Sequence, residues 1–88
     1  MHIEFPPGET DDTSTWVVWF LAVVHGQQIT CGISYHALRM HCGADFDDPM
    51  PAFVTNRQRI EQIITTRISH GRFEEDETMV IRSHDILR

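Results

Sequence analysis

The sequence predicts one α+β domain, an antiparallel sheet in β-β-β-α-α-β order with two helices packed on one face. Three observations carry that prediction. Trp16 to Val24 is a nine-residue apolar run, dense in aromatic and β-branched residues and without Gly or Pro, which reads as a strand greasy on both faces. His25-Gly26 followed by Ile29, Cys31 and Ile33 at alternate positions reads as a two-residue hairpin turn and its return strand. Phe53, Ile60, Ile63, Ile64 and Ile68 fall within about 140° of arc at 100° per residue, the stripe of an amphipathic helix.

Each element has a local cause. Met1 to Phe5 alternates as a half-buried strand and is stopped by Pro6-Pro7-Gly8. Glu9 to Thr15 is polar throughout and reads as a mobile connection with nothing to bury. With a two-residue turn, Val24 faces Gln27, and Ala22, Phe20 and Val18 pair with Ile29, Cys31 and Ile33 on the core side. On the other side Val23 meets Gln28, Leu21 meets Thr30, and Trp19 lies over Gly32. Ser34 is an N-cap for a helix from Tyr35 to Cys42, which Gly43 ends. Asp48 caps a second helix with Pro49 in its first turn, ended by Gly71. Glu74 to Glu77 is an acidic turn, and Thr78 to Ser83 is a last strand with Met79 and Ile81 on one face.

Eighty-eight residues, 41% apolar and 23% charged, suffice for one core and leave no room for a second domain. Residues 1–15 form the N-terminal strand and loop, 16–83 the core and 84–88 a tail. Seven basic residues against thirteen acidic ones give a net charge of −6. Such a surface does not attract phosphate backbones or anionic lipid, so nucleic-acid and membrane partners are not expected. No apolar run approaches the length of a membrane span, and no leader pattern is visible at the N-terminus, so a cytoplasmic location is expected. There Cys31 and Cys42 remain thiols.

The apolar strand, the turn at Gly26, Cys31-x-Ile33-Ser34-x-x-Ala37-Leu38, Gly43-Ala44, Phe53-x-x-Asn56-Arg57-x-x-Ile60-Glu61 and the final strand together resemble the small bacterial proteins grouped as domain-of-unknown-function family 1488. The resemblance covers about Trp16 to Ser83. It implies a compact α+β bacterial domain without an established activity, and so supplies no catalytic residues.

The chemistry-bearing residues do not assemble into a familiar machine. Cys31, His36, His41 and Cys42 lack the paired spacing of a zinc site, and no cofactor is implied. His41 and Cys42 are helix neighbours pointing about 100° apart and cannot form a thiol–imidazole pair, with or without Asp45. Asp45, Asp47 and Asp48 start like a calcium loop without its Gly and distant Glu. One polar set stands out: Asn56, with Arg57 and Arg67 about 40° to either side of Phe53, inside the apolar arc. They either cover the core edge and pair with Glu61, Asp85 or the acidic turn, or form an anion or ligand site between the sheet and the second helix.

Val17, Trp19, Leu21 and Val23 form an apolar ridge on the side away from the helices, and large apolar patches are seldom left in water. Two function classes follow. One is a nonenzymatic interaction or regulatory module that forms a homodimer or docks a protein partner through this face. The other is a small-ligand binder or minor enzyme whose site lies between the sheet and the second helix and uses Arg57, Asn56 and a histidine, for which no acid, base and nucleophile set is recognisable.

Overall fold

The structure, a computed structural model, describes residues 3–43, 48–71 and 78–83. Its elements are β1 (Ile3–Glu4), β2 (Thr10–Asp12), β3 (Val17–Val24), β4 (Gln27–Ser34), α1 (Tyr35–Cys42), α2 (Met50–Thr55), α3 (Arg57–Ser69) and β5 (Thr78–Ile81). The fold is α+β, with a mixed and mostly antiparallel sheet in the order β1-β3-β4-β5, and β2 also pairing β3.

The β3–β4 hairpin grows from a turn in which His25 and Gly26 both take positive φ, 52° and 79°. That geometry matches the twist of the flanking strands and leaves no choice of register. All the expected pairs form, from Val24↔Gln27 to Val18↔Ile33, with Trp19 opposite Gly32. The strand begins at Val17, one residue later than its composition suggests. Trp16 is left-handed instead, at φ 59°, and its carbonyl accepts the Tyr35 N–H at 2.9 Å where β4 passes into α1.

Ser34 caps α1 as expected, its Oγ accepting the Ala37 N–H at 3.1 Å, and Gly43 ends the helix at φ 72°. The second helix departs from expectation. It starts at Met50, whose N–H the Asp48 side chain accepts at 3.1 Å, and it breaks at Asn56 into α2 and α3. The break has a local cause: Asn56 Nδ2 donates to the Ala52 carbonyl at 2.9 Å, the same oxygen its backbone N–H uses, and the backbone there leaves helical geometry.

Two further corrections concern the sheet. Glu9–Thr15 is not a structureless connection, because Thr10–Asp12 pairs with Trp19–Val17 and the turn after it is held by the Asp12 carboxylate. β5 runs parallel to β4, not antiparallel, with Cys31 facing Met79 and Ile33 facing Ile81. Parallel neighbours need a long crossover, and here the helices provide it. The acidic turn Glu74–Glu77, the tail 84–88, Asp45, Asp47 and Asp85 lie outside the described residues.

The core lies between one sheet face and the helices. Val18, Phe20, Ala22, Ile29, Cys31, Ile33, Met79 and Ile81 from the strands meet Leu38, Phe53, Ile60, Ile64 and Ile68 from the helices. Phe20 and Phe53 sit 5.5 Å apart at its centre. Ile64 is fully buried, so Ile64→Ala should cost about 2–5 kcal/mol in denaturant unfolding, and a negligible change would place α3 on the wrong face. A Cβ at Gly32 would stand 2.6 Å from Val17 Cγ1 and 2.8 Å from the Trp19 ring. Gly32→Ala is therefore expected to lose about 1–3 kcal/mol by overpacking, whereas a gain would show that the indole does not rest there.

Candidate functional site

The sheet face turned away from the helices carries its own small apolar layer. Because directly paired residues share a face, Val17, Trp19, Leu21 and Val23 of β3 stand with Gln28, Thr30 and Gly32 of β4 and Val80 of β5. Val17 and Val80 are buried, only 4% and 6% exposed, although neither belongs to the helix-side core. Trp19 lies between them over Gly32, which can accept the ring only because it has no side chain. Trp19, Leu21 and Val23 remain half-buried, and Thr30 and Gln28 are exposed.

The β3 edge of this face is irregular. β1 pairs as far as Glu4↔Val23 and β2 resumes at Thr10↔Trp19, so five residues, Phe5 to Glu9, span only Phe20 to Ala22 on β3. The surplus residues include Pro6 and Pro7, which have no N–H for a ladder, and the segment bulges away as a strap. Under it opens a groove of about 410 Å³, lined by the strap from Pro6 to Thr10 and by Trp19, Leu21 and Thr30.

Arg57 holds this strap from the helix side. Its Nη2 donates to the Pro6 carbonyl at 2.9 Å, and its Nη1 lies 3.5 Å from both the Gly8 carbonyl and the Glu9 carboxylate. Nε donates to Glu61 at 2.9 Å, and the guanidinium stacks 5.6 Å from the Phe53 ring centre. The arginine thus covers the core edge with its stem and ring contact while its head ties two elements together.

The turn after β2 is organised by Asp12. Its carboxylate accepts from the Ser14 N–H and hydroxyl, from the Thr15 hydroxyl and, at 3.3 Å, from the Trp19 indole N–H. These donors, the Ser14 hydroxyl foremost, pull its pKa down from 3.8 to about 2. On the opposite face the neighbouring Asp11 accepts the hydroxyl of buried Tyr35, against whose ring Trp16 packs edge-on at 5.5 Å.

The polar set picked out in the sequence is not gathered into one place. Arg57 faces the strap, whereas the Asn56 amide points to the end of α1, 3.5 Å from the Cys42 carbonyl. Arg67 lies ten residues further along α3, about 15 Å from Arg57 along the axis. The thiols are poor nucleophiles: burial pushes Cys31 up to about 12, and raises Cys42 against the opposing charge of Arg59. His41 Nε2 sits 3.1 Å from the Ser83 carbonyl. Among the described residues, no three His, Cys, Asp or Glu side chains stand close enough to share a metal ion.

The ridge Val17, Trp19, Leu21, Val23 is thus where the sequence places it, but the strap, Glu9 and Asp12 were not singled out. Pro-Pro-Gly and Asp-x-Ser-Thr were their signals, one blunting a strand and the other organising a turn.

Comparison with known proteins comes down to one family. The family model described as "Protein of unknown function (DUF1488)" matches residues 3–81. A crystal structure of a protein of unknown function from that family, from Shewanella loihica PV-4, superposes with a TM-score of 0.80. It is 21% identical, with 90% of each chain covered, a likeness that speaks for the fold. No curated protein matches.

Because the folded pKa of Asp12 lies below its ordinary value, its contribution to stability is complete above about pH 4 and is lost as the pH falls towards 2. Asp12→Asn should lower stability at neutral pH and flatten that part of the acid limb in pH-dependent unfolding. An acid limb identical to the parent's would mean that these hydrogen bonds do not form in solution.

Proposed function

The chain belongs to the DUF1488 family, whose activity is unknown, and from its surface chemistry we propose that it is a nonenzymatic interaction module that self-associates or docks another protein through the helix-free sheet face. The observation that carries this reading is the half-buried stripe Trp19, Leu21, Val23, with Val17 buried at its end, on a face that no described helix covers, opening into a groove with an indole and a leucine in its wall. Apolar area of this kind, rimmed by polar side chains, marks interaction surfaces. Trp is also the residue type most enriched where binding energy concentrates.

Among the described residues the space between the sheet and the helices is occupied by core side chains. Phe20, Phe53 and the isoleucines of α3 fill the space between sheet and helices, and Arg57 is committed to Glu61 and the strap. Among the described residues no helix is long and apolar enough to cross a membrane.

The test compares two charge insertions at exposed positions, Thr30→Arg on the proposed face and Gln62→Arg on α3. Association through this face, whether seen as self-association in sedimentation or as proteins retained from the native cell extract by the immobilised full chain, should be lost with Thr30→Arg and kept with Gln62→Arg. Equal behaviour of the two variants, both folded by circular dichroism, overturns the reading.

A further inference from the structure

We propose that the groove under the strap receives a basic side chain, an arginine or lysine carried on an extended segment of another protein, and that its occupant is not a second copy of this chain. The inference rests on the docking reading above and names the partner's chemistry.

The first support is the distribution of charge. Residues 1–38, which build β1 to β4, contain Glu4, Glu9, Asp11 and Asp12 and no Lys or Arg. Among the described arginines, Arg39, Arg57, Arg59 and Arg67 stand on helices and Arg82 follows β5; of these, Arg57 reaches the strap, from its helix side. Glu4 and Asp12 pair directly with Val23 and Val17, so both lie on the helix-free face, and Glu9 lines the groove itself. A basic partner is drawn to this rim. Two copies of a −6 chain meeting by a two-fold would instead bring the same acid-rimmed patch against itself.

The second support is the wall chemistry. The Trp19 N–H is held by the Asp12 carboxylate, which stays ionised down to about pH 2, and a carboxylate on that N–H makes the indole face more negative. Trp is already the best ring for a cation, and the contact gains strength when partly desolvated. The strap that lines the groove with it is poor in donors, since Pro6 and Pro7 lack N–H groups, and it carries the Glu9 carboxylate, which Arg57 approaches to 3.5 Å. A guanidinium or ammonium has donors only. The strap already accepts one such group, since Arg57 binds the Pro6 and Gly8 carbonyls from the helix side. A volume of about 410 Å³ admits the head with its aliphatic stem, and Leu21 supplies an apolar surface for the stem.

The experiment uses the full chain with Trp16→Phe, leaving Trp19 as the sole indole. The probes are three extended peptides alternating leucine with arginine, glutamine or glutamate. The arginine peptide should shift Trp19 emission saturably and bind at least tenfold tighter than the glutamine peptide. Its affinity should fall severalfold between 50 and 500 mM salt, a direction set by screening. Glu9→Gln should weaken it about threefold or more, and Thr30→Arg should abolish it, with thermal melts confirming that both variants fold. Equal binding of the glutamine or glutamate peptide, or undiminished arginine-peptide binding by Thr30→Arg, overturns the inference. So does a dimer in sedimentation that Thr30→Arg dissolves. If Thr30→Arg loses protein partners while the arginine peptide fails to bind, the docking face stands and the cationic occupant falls. If Thr30→Arg keeps its partners, the docking reading itself falls.

Discussion

His25 and Gly26 close their turn with both backbones at positive φ, and eight residue pairs between β3 and β4 follow from that closure. A slip of one residue would move every β3 side chain to the opposite face. It would take Val18, Phe20 and Ala22 out of the core and lift the Trp19 ring off Gly32. Both layers of the protein, the helix-side core and the thin apolar layer opposite, therefore depend on one two-residue geometry.

The other edge of β3 is governed by a mismatch of lengths. Five residues bridge three, two of the five are prolines, and the excess leaves the sheet as a strap. Blunting an edge with proline and a bulge protects against uncontrolled pairing. Here the same device also forms a groove, because Arg57 holds the strap at a distance from the sheet while anchoring on Glu61 and Phe53. One arginine thus links the core edge of α3 to the wall of the proposed docking surface. Among the described residues, the charged groups of β1 and β2 are Glu4, Asp11 and Asp12, whereas Arg39, Arg57, Arg59 and Arg67 stand on the helices.

Among the described residues, Cys31 and Asn56 are engaged by their own surroundings. Cys31 is packed in the core and donates only weakly, at 3.6 Å, to the Ile29 carbonyl. Asn56 spends its amide on the Ala52 and Cys42 carbonyls. Asn56 terminates a helix and Cys31 fills space in the core.

The hairpin register, the cap at Ser34, the stop at Gly43, the buried stripe of α3 and the α+β class were all legible in the amino-acid sequence, because each rests on residues within a few positions of one another. So was the apolar ridge, since alternation along one strand assigns its face. The tertiary structure alone decided the rest. The parallel direction of β5 depends on where a helical crossover delivers the chain, and the pairing of Thr10–Asp12 on the β3 edge left by β1. The partners of Arg57 come from residues 48 to 51 positions away as well as from its own helix. Contacts closed over such loops are selected by packing and not by local propensity, so composition could show that Arg57 needed a partner without saying which.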